Sequence, residues 1–113
     1  MDSSQVMVVL VTTAGEEEAD RLAGLLLDQR LIACANIVPR IRSVYRWKGQ
    51  IEHADESLLV LKTTAEALEA LTDTIREHHS YEVPEVIALP VTGGNATYLE
   101  WVASELHPDA GRT

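Results

Sequence analysis

Three strand-like runs in this chain are apolar on both of their faces. In the run from Val6 to Val11, Val6, Val8 and Leu10 point one way and Met7, Val9 and Val11 the other. Further on, Leu58 and Val60 oppose Leu59 and Leu61, and Val86 and Ala88 oppose Ile87 and Leu89. Successive side chains leave a strand on opposite faces, so a half-buried strand alternates apolar with polar residues. A sheet built from these runs needs cover on both sides. With 113 residues the chain has the length of one domain, spanning 1–113, so that cover must come from few elements.

The remaining segments supply only part of it. Thr12 to Gly15 reads as a turn, and Glu16, Glu17 and Glu18 place negative charge in the first turn of a helix, where the macrodipole favours it. Ala19, Leu22, Ala23, Leu26 and Leu27 form its buried stripe, and the helix is expected to end near Arg30. A long extended stretch follows from about Cys34 to Trp47. Pro39 inside it cannot donate to a ladder and predicts a bulge or an edge position. Lys48-Gly49 reads as the turn of a hairpin whose return strand runs to about Thr63, with a bulge expected at the polar residues His53 to Glu56. Thr63-x-x-Glu66 has the pattern of a capping box before a second helix lined by Leu68, Leu71 and Ile75, ending near His78-His79. Tyr81 to Pro84 is a connector, Glu85 to Val91 a strand, and Asn95 a cap for a last helix with Tyr98, Leu99, Val102 and Leu106. The ordered core covers about residues 6–106, and the polar segment 107–113 is expected to be a disordered tail.

The order is β-α-β-β-α-β plus a terminal helix, an α+β chain of the ferredoxin-like, split βαβ kind. Such a subunit puts its two main helices on one face of the sheet. Each Val or Leu side chain left in water on the other face forgoes roughly 1.5–3 kcal/mol. About six of them would rival the whole stability of a small domain, about 5–15 kcal/mol. Unless the terminal helix covers that face, another copy of the chain must do so, and closed symmetry is the usual outcome. Spacing alone does not choose between two, three or four subunits. The far half of the hairpin, around Tyr45 and Trp47, also projects beyond the sheet and calls for a neighbour.

Charge narrows the partners. Asp and Glu number 18 against 9 Lys and Arg, a formal net charge of -9, so neither nucleic acid nor an anionic membrane surface is an expected partner. No basic leader precedes Val6, and Cys34 is the one cysteine, so the chain reads as a reduced, cytoplasmic protein without a disulfide framework.

Several motifs, in order along nearly the whole chain, resemble the CutA divalent-cation tolerance family. They are Leu10-Val11-Thr12-Thr13, the run from Arg30 to Ile37, the run from Ser43 to Gly49, Lys62-Thr63, His79 to Glu85, and Tyr98-Leu99-x-Trp101. Ser80 departs from the pattern, since the family usually has proline after the histidine. The resemblance implies a ferredoxin-like subunit in a tight trimer held by β pairing between subunits, similar in architecture to the PII-type nitrogen signal proteins. It also implies a role in tolerance to divalent metals, copper especially, without an established catalytic activity.

The candidate residues follow. Cys34 could supply a soft ligand for Cu(I) or be a small buried hydrophobe at a strand start. His78 and His79 are adjacent and not at the i, i+4 spacing of a helical metal pair, so His78 reads as a helix end and His79 as the better site candidate. Glu85 could be a hard-cation ligand or a proton-transfer group, or a carboxylate that holds its loop. Cys34, His79 and Glu85 are therefore the candidate metal ligands, with copper or another divalent cation as a ligand but no obligatory cofactor. Asn36, Lys62, Tyr81 and Glu82 are candidates for lining a cleft between subunits; for Lys62 a salt bridge to Glu82 or Glu85 is the plainer expectation. Tyr45, Trp47 and Trp101 are candidates for the trimer interface, where aromatics are enriched. No nucleophile elbow, zincin signature or phosphate-binding loop occurs, so no catalytic residues are assigned. Two functions compete: a non-enzymatic trimer in the response to divalent metal ions, and a PII-like regulator with a small molecule in its intersubunit clefts.

Overall fold

A computed structural model describes residues 4–106. The expected tail, 107–113, lies outside the described residues. Strand β1 covers Val6–Thr13, helix α1 Glu16–Asp28, and strands β2 and β3 Cys34–Trp47 and Gln50–Thr64. A 3-10 turn over Ala65–Ala67 leads into helix α2, Leu68–His78; strand β4 is Val86–Pro90 and helix α3 Ala96–Glu105. The strands form one antiparallel sheet in the order β2-β3-β1-β4, as the split βαβ reading requires.

The register sorts the two apolar faces. Val9 pairs with Leu61 and Ala88, and Val11 with Leu59 and Val86, so these residues share the face covered by α1 and α2. There Val9, Val11, Leu22, Leu26, Leu59, Leu61, Leu71 and Ile75 have no exposure at all. The opposite face carries Leu10 beside Val60 and Ile87, and Val8 beside Leu89. Helix α3 covers only one end of it, where Val102 packs with Val6 and Ala33. Away from α3, Ile87 and Leu89 each remain 47% exposed and Val38 39%.

Local chemistry explains the ends. After α1 the N–H of Arg30 donates to the Leu27 carbonyl and that of Leu31 to the Leu26 carbonyl, with Arg30 at φ 56. This is a Schellman ending that does without glycine. It delivers Leu31 and Ile32 into the core and starts β2 at Cys34.

The hairpin turns at Lys48 and Gly49, both with positive φ, as a two-residue loop between right-twisted strands demands. The bulge expected near Pro39 is present: Val38 pairs with Leu58 and Ile41 with Glu56, so Pro39 and Arg40 face the single residue Ser57. The Ser57 hydroxyl donates to the Pro39 carbonyl at 2.6 Å.

Two local expectations are overturned. The segment His53 to Glu56 does not bulge; it pairs regularly with Val44 to Ile41, because the irregularity at Pro39 takes up the mismatch. The capping box does not form either. The Thr63 hydroxyl donates to the Leu31 carbonyl at 2.7 Å, and Thr64, which stands at the cap position, makes no side-chain cap bond. Asn95 does cap α3, accepting from the Thr97 N–H at 3.1 Å. Pro90 closes β4, an outer strand of the sheet, where a missing N–H is tolerated.

Candidate functional site

The connector between α2 and β4 is tied to the start of α1 by a buried carboxylate. Glu18 lies three residues beyond Gly15, the cap of α1, and reaches back to accept from the Ala14 N–H at 3.1 Å. The same carboxylate accepts from the Ser80 N–H at 2.7 Å and the Ser80 hydroxyl at 2.9 Å. Burial pushes the Glu18 carboxyl up, but the hydrogen bonds from Ser80 and Ala14 outweigh it and hold its pKa below the ordinary 4.5.

His79 completes the tie. Its ring Nε2 stands 2.7 Å from the Thr12 carbonyl, which can only accept, so Nε2 carries the proton. Its Nδ1 accepts from the Tyr81 N–H at 3.0 Å, so both ring nitrogens are held by backbone groups. The His79 side chain has no exposure.

The connector held in this way forms one wall of a cleft of about 670 Å³. Tyr81, Glu82, Val83 and Glu85 line it from the connector, and Thr12 and Glu56 line it from β1 and β3. Across from them the projecting half of β2 contributes Arg42, Val44, Tyr45 and Trp47. Tyr81 donates its hydroxyl to Glu56 Oε2 at 2.7 Å, a bond that joins the connector to β3. Burial first, then the hydrogen bond to Glu56, pushes the Tyr81 phenol far above its ordinary value, so it stays a donor across the physiological range.

The candidate residues fall into three places. Tyr45, Trp47, Tyr81, Glu82 and Glu85 meet at the cleft. Cys34, Asn36 and Lys62 lie apart from it, where the α3 end covers the second face. There the Cys34 thiol and the Tyr98 hydroxyl share a hydrogen bond at 3.5 Å, and Lys62 donates to the Asn36 side-chain carbonyl. The Cys34 thiol and burial together push the Tyr98 phenol up. Trp101 stands 40% exposed on α3, its ring 5.6 Å from that of Tyr98.

The expected salt bridge from Lys62 to Glu82 or Glu85 is replaced by the Asn36 bond. The register explains why: Lys62 pairs with Val8, while Thr12, at the cleft, pairs with Leu58.

The candidate metal ligands do not converge within one chain. Cys34 aligns through Lys62 with Val8, whereas His79 is bonded at Thr12, four residues further along β1 and so roughly 13 Å away at the rise of a strand. Both ring nitrogens of His79 are engaged, and among the described residues no three His, Cys, Asp or Glu side chains gather where they could hold a metal ion. The donor set of a single chain does not fit a copper cage.

Glu18 and Glu56 are the site residues that the sequence reading misses. For Glu18 the signal was its place three residues after a capping glycine, where a carboxylate reaches back to the preceding backbone. For Glu56 it was a carboxylate in phase with the apolar residues Leu58 and Val60.

A four-stranded antiparallel α+β subunit, with a long hairpin overhanging a polar, aromatic-walled cleft, is the class of protein defined here. Within that class the assignment is specific. The family described as CutA1 divalent ion tolerance protein matches residues 7–105, and the chain belongs to it. It is 50% identical over 96 residues to the chloroplastic protein CutA 1 of Oryza sativa, covering 85% of this chain and 54% of that one. It is 47% identical over 97 residues to human protein CutA, covering 86% and 54%. The divalent-cation tolerance protein CutA of Thermus thermophilus is 45% identical over 95 residues, covering 84% and 92%. The chain thus spans about half the length of the plant and human relatives and nearly all of the bacterial one. Among solved structures, that of the Thermus thermophilus protein superposes with a TM-score of 0.88 at 42% identity, covering 90% of this chain and 99% of that one. The crystal structure of CutA1 from Oryza sativa also gives 0.88, at 46% identity and coverage of 93% and 98%.

Proposed function

We propose that this chain acts as a non-enzymatic homotrimer in the cytoplasm, in the response to divalent metal ions. The cation role is supported by the family to which the chain belongs. The assembly is supported by one observation above all: the sheet face beyond α3, where Ile87, Leu89 and Val38 remain open although the sequence makes them apolar. A second copy covering that face would remove the exposure. Pairing between subunits through the overhanging hairpin would also seat Tyr45 and Trp47, 44% and 48% exposed in one chain. Copper or another divalent cation is not an obligatory part of this assembly.

Native mass spectrometry with and without stoichiometric copper under reducing conditions tests both parts. The expected result is a three-chain mass. A monomer overturns the burial argument. One discrete copper per chain that Cys34→Ala or His79→Ala removes would overturn the reading that these residues form no cage.

A second reading is favoured by the cleft: a PII-like regulator that takes a small molecule where Tyr81, Glu82 and Glu85 face the hairpin. A cleft of about 670 Å³ is within the range of ligand sites, and it carries the mixture of aromatic and polar walls that such sites show. A ligand-dependent rise in melting temperature supports this reading, and a flat metabolite screen removes it.

A further inference from the structure

We propose that the far half of the hairpin is a hinged arm that pivots at the Pro39 bulge and is held in its stance by a latch, the hydrogen bond from Tyr81 to Glu56. The connector is then the handle that sets where the arm points.

The pairing divides the hairpin in two. Its near half, Cys34 to Val38 against Leu58 to Lys62, lies within the sheet, because β1 pairs with β3 from Ser57 to Thr64. Its far half, Ile41 to Trp47 against Gln50 to Glu56, extends past the last of those pairs, Thr13 with Ser57. Burial breaks at the same place. Glu56 and Ser57 are buried, whereas no residue from Ile41 to Asp55 is. Core packing therefore does not pin the arm, and a two-stranded ribbon is marginal by itself.

The boundary has the features of a pivot. A bulge interrupts the ladder and bends the strand, and Pro39 within it has no N–H to give. Arg40 and Asp55 meet beside it at 3.1 Å, but both are well exposed, and such a pair holds little. From Ile41 to Trp47 the arm reaches about 20 Å at the rise of a strand, so a turn of about 10° at the pivot carries its tip roughly 3 Å.

Glu56 is the first β3 residue on the arm side of the bulge, where it pairs with Ile41. Tyr81 donates to its Oε2 at 2.7 Å, a bond strengthened by the charge of the acceptor. The other end of the latch is anchored to the body of the subunit. The Tyr81 N–H is held by His79, whose ring lies 4.7 Å from that of Tyr81 and is bonded to the Thr12 carbonyl, and Ser80 is held by Glu18 on α1. One bond thus joins an anchored segment to the root of a lever. Where a neighbouring copy receives the arm, a step that rests on the assembly proposed above, the latch decides where Tyr45 and Trp47 land and spares the arm from being ordered on contact.

The test reads the stance directly. Nitroxide labels are placed through Arg46→Cys on the arm and Glu77→Cys on α2, in a Cys34→Ala background. Their distance distribution is recorded by pulsed EPR in the assembled full-length protein, with labelled chains diluted into an excess of unlabelled ones. A second pair, Asp20→Cys with Glu77→Cys, lies wholly on the helices. Tyr81→Phe is expected to shift or widen the arm distance by about 3 Å or more and to leave the helix pair unchanged. Glu56→Gln keeps an acceptor without its charge and is expected to give a smaller change of the same kind, with Arg40→Ala smaller still. On dilution, Tyr81→Phe is expected to dissociate at a concentration about ten-fold higher or more.

An arm distance unchanged in Tyr81→Phe overturns the latch. So does a change of equal size in the helix pair, which would be a general loosening of the fold. A shifted arm with unchanged dissociation overturns the step to the neighbour and supports the latch. A wild-type mass of one chain overturns the assembly instead, and the arm distance still decides the latch.

Discussion

The two faces of the sheet are made of the same residue types and meet different fates. On the helix side Val9, Val11, Leu59 and Leu61 are sealed by α1 and α2. On the other side α3 lies over one end of the face that carries Val8, Leu10, Val60, Ile87 and Leu89, and among the described residues Ile87 and Leu89 stay 47% exposed. Both faces carry the apolar side chains of a core, but only one is a core within a single chain. Hydrophobic patterning therefore reports the burial a sequence has been shaped for, and the shortfall within one chain measures what an assembly must supply.

The contrast predicts different consequences for similar substitutions. Leu61→Ala removes a side chain with no exposure and is expected to lower subunit stability by ~2–5 kcal/mol in urea unfolding. A loss well under ~1 kcal/mol would mean that the helix face is not the main core.

Glu18→Gln comes next, since it weakens the tie that fastens the connector over that face. It is expected to cost about 1.5–3 kcal/mol near neutral pH. The pH dependence has a definite sign. The folded pKa of Glu18 lies below 4.5, so the unfolded chain binds more protons as the solution is acidified, and the contribution is present above 4.5 and lost as pH falls through the folded value. Unfolding curves of the two proteins should therefore converge below pH 4.5, and a gap that stays constant with pH would remove the carboxylate from the account.

On the open face the effect should appear in assembly. Replacing Ile87 and Leu89 with Lys is expected to weaken association by about ten-fold or more, seen as a fall in mass on dilution. An unchanged oligomer would show that this face is not the one an assembly covers. Smallest of all, Ser57→Ala leaves the Pro39 carbonyl without its hydroxyl donor and should cost ~1 kcal/mol.

Much of the architecture was legible because local and global signals agreed. Pro39 could not serve as an ordinary ladder residue, Lys48-Gly49 could take the positive φ values of the turn, and Asn95 could cap α3. The failures came where a side chain had a better offer from far along the chain. Thr63 fits a capping box in sequence, yet its hydroxyl is taken by Leu31, 32 residues away. Lys62 looked ready for a carboxylate at the connector, but the register of β3 against β1 places it at the other end of the sheet, next to Asn36.

The cleft was not legible as one site. The sequence singled out Tyr45 and Trp47 for an interface, Tyr81 and Glu82 for a cleft and Glu85 for a metal, and only the fold brings these five together; Cys34 and His79 stay apart, since no local spacing reveals where two distant segments sit along a common strand. Glu18 was hidden by its own context. Three acids in a row at a helix start are explained by the macrodipole; the spacing from Gly15 singles out Glu18 for the backbone just before the helix, but not for the segment 62 residues away that it also holds.

Pro90 has a further consequence. The N–H of Val91 points inward to the Val6 carbonyl, and the alternation of a strand then directs the N–H groups of Val86 and Ala88 outward, with Pro90 next in line and unable to donate. The outer rim of β4 thus offers two donors and stops. A stray strand that docks there finds too short a ladder to template another, so this edge is a poor seed for fibril growth.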